Sequence, residues 1–155
     1  MKKAILVFLA FFVVSIGLTW VWNEGLRNLY GELFKAVALR LHGFLGFGDA
    51  PIAPYRTRYI NLVPFVSLIL VTPGIALRRR AIGLGLGLVA LFVSHLALNL
   101  TAYYSPGAAL PIVPALFSDT LPFLLWLAVA YPALGRLFGV MSGGTEEAAG
   151  SADED

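Results

Sequence analysis

Six polar residues set at the ends of long apolar stretches could act together: Arg56, Arg58, Asn61, His95, Asn99 and Asp119. His95 and Asn99 are four apart, so on a helix they share a face. Asp119 can accept a hydrogen bond from His95 or pair with Arg56 or Arg58. Ionisable groups inside a membrane are costly and tend to face protein or water, so the six predict a polar binding pocket at one membrane surface. The structural alternative is plain. Asp119 would cap a helix start, the arginines would meet lipid phosphates, and the rest would be satisfied bundle contacts.

Catalysis is less well supplied. Ser94 adjoins His95, but successive residues on a helix point to different faces. Ser105 and Ser118 could join His95 and Asp119 in a hydrolase, yet a triad is defined by geometry rather than by residue types, and no nucleophile elbow is present. The chain has no cysteine. That removes disulfides, cysteine metal sites and a thiol nucleophile. One histidine and one aspartate are too few for a metal site, and no cofactor is expected. His42 reads as a solvating or capping residue.

These groups need long apolar elements to hold them. Of 155 residues, 59% are hydrophobic and 13% charged, with net charge +2. A soluble domain carries roughly a quarter charged residues, and a small one cannot hide so much apolar surface. The composition predicts one all-α domain over residues 1–140, an integral membrane bundle of four transmembrane helices plus one amphipathic surface helix. No basic-aromatic array suggests a nucleic-acid partner. Membrane lipid is an expected one.

The first span is Ala4 to Trp22, preceded by Lys2 and Lys3 and ended by Trp20 and Trp22 as an aromatic belt. It lacks a small-x-small cleavage site and reads as a retained anchor. Asn23 and Glu24 predict a new helix start. Leu26, Leu29, Tyr30, Leu33, Phe34, Val37 and Leu41 then give an amphipathic helix to about residue 42, suited to the membrane surface. The other spans are expected at about 59–77, 81–103 and 119–137. Pro64 and Pro73-Gly74 should bend the second. Gly83 and Gly87 give the third a G-x-x-x-G spacing, read as packing within the chain. Residues 141–155 hold five acidic side chains among Gly, Ser and Ala, and predict a disordered acidic tail.

Orientation rests on basic residues in short loops. Lys2, Lys3 and the Arg78–Arg80 triplet predict cytoplasmic N- and C-termini in a bacterial inner membrane, with the six polar residues facing outward.

The segments RTRYINLVPFVSLILVTPG (56–74), RRRAIGLGLGLVALFVSHLALNL (78–100) and SDTLPFLLW (from 118) resemble the archaeosortase/exosortase family of membrane transpeptidases. In that family a cysteine opens one span, an arginine follows the end of the next, and a histidine opens the third. This chain has Asn61 near the cysteine position, Asn99-Leu100-Thr101-Ala102 without the arginine, and Asp119 in place of the histidine. The resemblance covers about half the chain. It implies a degenerate, non-catalytic relative: an accessory subunit in envelope protein sorting, whose partner is a sortase-like membrane enzyme or a sorted substrate. A lipid- or small-ligand-binding protein using the outer polar cluster is the second expectation, and a membrane hydrolase the third.

Overall fold

A computed structural model describes residues 2–46, 61–104 and 112–137. All of the regular structure in these segments is helical. Helix α1 spans Lys2–Val21, α2 Arg27–Phe44, α3 Leu62–Val71, α4 Leu77–Tyr104 and α5 Ile112–Leu137. Three stretches are long and apolar enough to cross a membrane: Ile5–Phe44, Leu77–Thr101 and Leu116–Gly135. The chain is a helical membrane protein. The second expected span, about 59–77, ends early, its helix stopping at Val71, and its first two residues lie outside the described residues. Its described helix, α3, has 10 residues, about 15 Å, or half of a hydrocarbon core of roughly 30 Å.

The predicted break after Trp22 does not occur. A π-helical segment, Trp22–Leu26, joins α1 to α2 in one continuous helix. Asn23 and Glu24 lie inside it rather than capping a new start. A π segment takes up an extra residue within a helix, and so shifts the phase of the faces on either side. Here it turns Trp22 inward, buried at 6% exposure. Beyond it, Phe34, Ala38 and His42 are buried while Leu29 and Leu33 of the predicted apolar face are exposed. His42, expected at a wet helix end, is 1% exposed.

Helices α4 and α5 run antiparallel, and α4 is the most enclosed of the long apolar stretches. Glycine makes that approach possible. A Cβ on Gly83 would sit 2.7 Å from both Cγ atoms of Val129 on α5. A Cβ on Gly87 would enter the ring of Phe65 on α3. The G-x-x-x-G spacing therefore serves two neighbours inside the chain. Gly85, between them, meets nothing within 4 Å. Thr72 is extended after α3, and Gly74 at φ +78° makes the turn toward α4 that an L side chain would strain.

The arginine triplet lies in the first turn of α4, not in a loop before it. It is tied to its neighbours. Pro132 inside α5 has no N–H for the carbonyl of Ala128, four residues back. Arg79 Nη2 donates to that oxygen at 3.0 Å, and Arg79 Nε donates to Val129 O at 2.8 Å. Arg80 Nη2 donates to Thr72 O at 2.9 Å. Trp126 Nε1 of α5 donates to Thr72 Oγ1 at 2.8 Å, which itself donates to Leu68 O. Side-chain bonds thus lace one end of the bundle, two of them to carbonyls without a helical donor, Ala128 O before Pro132 and Thr72 O beyond the end of α3.

Two stability outcomes follow. Gly87→Ala should cost about 1–3 kcal/mol through overpacking, with Gly85→Ala within about 0.5 kcal/mol of the parent, read as detergent-resistant unfolding midpoints. Arg79→Leu should cost on the order of 1–3 kcal/mol, and clearly less in a Pro132→Ala background, where the helix regains its own donor. Equal costs in the two backgrounds would remove the link between Arg79 and the proline.

Candidate functional site

Asn61 stands at the start of α3, and Ser118 and Asp119 lie on α5. Asn61 Nδ2 donates to Asp119 Oδ1 at 3.2 Å and reaches Ser118 O at a long 3.4 Å. Ser118 is four residues before Pro122, so its carbonyl also lacks the usual helical donor. Asn61 therefore repeats at this end, more weakly, what Arg79 does at the other. Asp119 is not the helix start that the sequence suggested. Helix α5 begins at Ile112, so Asp119 sits two turns inside it and is exposed.

His95 and Asn99 lie on one face of α4, as their spacing required, and both are 1% exposed. The His95 ring belongs to the α2–α4 contact. Its Nδ1 is 2.6 Å from the Tyr30 hydroxyl, which donates to it when the ring proton is on Nε2. Tyr30 meets the His95 ring edge-on at 5.9 Å and Phe92 at 5.7 Å, and Trp22 lies 5.6 Å away. The Phe34 ring stacks beside Tyr30 at 6.4 Å. Tyr30 was legible only as part of an apolar stripe. Its hydroxyl made it a possible partner for a buried imidazole, but nothing local said which one.

The helix register relates the two pairs. From the Gly83–Val129 contact, moving equally along α4 and back along α5 brings Ser94 to the level of Ser118. His95 therefore lies near the depth of the Asn61–Asp119 pair, with Asn99 one turn beyond. His95 is bonded to Tyr30 and Asp119 to Asn61. Arg56 and Arg58 lie outside the described residues.

Among the described residues several buried polar atoms have no hydrogen-bond partner. They include both amide atoms of Asn99, both ring nitrogens of His42, and the hydroxyls of Ser67 and Ser118. Such groups are costly away from water, so they call for water, a ligand or a movement that satisfies them. Among the described residues no group of three or more His, Cys, Asp or Glu side chains could hold a metal ion.

An open groove of about 630 Å³ runs along α1 against the start of α3. Phe11, Phe12, Ile16 and Trp20 form its apolar wall, with Val63 and Pro64 opposite. Ser15, Thr19 and Asn23 recur every fourth residue along it. Ser15 Oγ is buried without a partner. Sequence alone hides this line, because Ser15 and Thr19 fall within an apolar span and Asn23 just beyond it reads as a helix cap.

Set against known proteins, the chain matches no family model, no curated protein and no solved structure.

Replacing Tyr30 by Phe removes the donor to a buried ring nitrogen while keeping the aromatic packing. It should lower stability by about 1–2 kcal/mol. A Tyr30→Phe protein that unfolds at the parent temperature would mean that the 2.6 Å bond contributes nothing.

Proposed function

We propose that this chain is a non-catalytic subunit of a membrane assembly, docking a transmembrane helix of its partner in the groove between α1 and α3. The carrying observation is the line Ser15, Thr19, Asn23 in an apolar groove, with the Ser15 hydroxyl unpartnered. In hydrocarbon, Ser, Thr and Asn favour bonds to a neighbouring helix, and small side chains let its backbone come close. In its apolar eighteen-residue window the first stretch has only 6% of residues buried, against 33% in that of α4, so α1 offers a wide unused face. The resemblance of residues 56–136 to exosortases gives the partner class: a sortase-type membrane enzyme, or the membrane tail of a protein it sorts. The lack of any cysteine favours binding over thiol-based transpeptidation.

In the same reading α1, α3, α4 and α5 form a four-helix bundle in a bacterial inner membrane, α3 making the short crossing and α2 extending from α1 as the surface helix. Both termini face the cytoplasm and Asn61 faces outward. A second reading has its own support. The buried, unpartnered amide of Asn99 suits a small polar ligand or lipid head at the outer end.

A photo-crosslinking residue at Ile16, used in native membranes, tests both. The expected product is an adduct with a membrane helix of a sortase-type enzyme or a sorted protein, lost on Thr19→Leu and kept on Asn99→Leu. Adducts with lipid alone would sink the subunit reading. Loss of function on Asn99→Leu with the adduct intact would move the assignment to the ligand pocket.

A further inference from the structure

At the opposite end of the bundle a second groove of about 380 Å³ lies between α4 and α5. Arg78 and Arg79 head it, and Ile82, Leu86, Ala128 and Val129 line it below. We propose that this groove is a binding site for an anionic phospholipid, with its phosphate on the two arginines and an acyl chain along the apolar wall.

Charge complementarity selects the occupant. Both arginines are exposed. Arg79 spends Nε and Nη2 on carbonyls, which leaves its charge without an acidic partner among the described residues. No acidic residue lines the groove. Three consecutive arginines occupy the first turn of α4, the positive end of its dipole, where anions are favoured and cations are not. A phosphodiester there meets two guanidinium groups, which bind phosphate through paired N–H donors. From Arg78 the groove descends two turns to Leu86, about 12 Å, a depth at which hydrocarbon replaces head groups. Ile82 and Leu86 are 50% and 68% exposed, so the wall is open to a chain. Free phosphate would use only the head of this site. So would the acidic tail, whose residues after Met141 carry no apolar side chain larger than alanine.

The full-length protein, delipidated in detergent, would be titrated with phosphatidylglycerol and with phosphatidylcholine of the same chains, and bound lipid counted by native mass spectrometry. Phosphatidylglycerol should be retained at least about fivefold better, a preference worth roughly 1 kcal/mol. Arg78→Gln should bring the ratio close to one; Arg78 is the residue to change because no backbone bond depends on it. Leu86→Trp should weaken both lipids by filling the wall. Excess inorganic phosphate should not displace the lipid. Equal retention of the two lipids by the parent protein would overturn the proposal, as would an unchanged ratio in Arg78→Gln. Full displacement by phosphate would assign the site to a free anion instead. Selectivity that appears only when the tail acids are replaced by amides (E146Q, E147Q, D153N, E154Q, D155N) would make the tail the occupant and end the lipid assignment.

Discussion

A proline inside a helix leaves the carbonyl four residues back without its helical donor. That constraint organises this bundle at both ends. Pro132 frees the carbonyl of Ala128, and Arg79 of α4 supplies two donors to that turn. Pro122 frees the carbonyl of Ser118, and Asn61 of α3 approaches it. Each repair comes from another helix, so satisfying the backbone also fixes how the helices sit. The arginine bonds are the shorter, and they carry charge, which makes them the stronger of the two ties. The prolines thus convert a backbone deficit into interhelical specificity, as expected where every polar backbone group needs an internal partner.

Close packing completes what the hydrogen bonds begin. Gly83 and Gly87 lie one turn apart, yet each meets a different neighbour, Val129 on α5 and Phe65 on α3. Helix α4 becomes the centre because it can be approached from two sides. Helix α1 stays peripheral, in contact chiefly with α3, and keeps a row of bulky apolar side chains exposed. Lipid is the natural solvent for that row, and only the Ser15–Thr19–Asn23 line departs from it. Function is therefore sought in the departures: a hydroxyl line on α1, buried amide and imidazole groups near one end, and arginines heading a groove at the other.

The candidate cluster was half legible. The spacing of His95 and Asn99 placed them on one helix face, and both are buried there. Asn61 and Asp119 were expected at one depth and do touch. Their meaning changed on contact. Asn61 became a backbone partner beside Pro122, and Asp119 moved from a helix cap to mid-helix because α5 starts earlier than its apolar run suggested. His95 turned toward Tyr30, sixty-five residues away, a pairing that no local pattern encodes. The arginine triplet, read as a mark of orientation, proved also to be a structural tie.

Composition alone pointed to the class, because uncharged stretches of about twenty residues suit helices long enough to cross a bilayer. Periodicity and glycine spacing determined which positions could be tight. Where the helices end was not determined by sequence, since a π segment can carry a helix through Asn23 and Glu24, and a short α3 can stop at Val71. Only the tertiary structure decided which side chain answers which orphaned carbonyl. That choice depends on the register between helices, and register is set by packing at Gly83, Gly87 and Phe65 rather than by any residue's own preference.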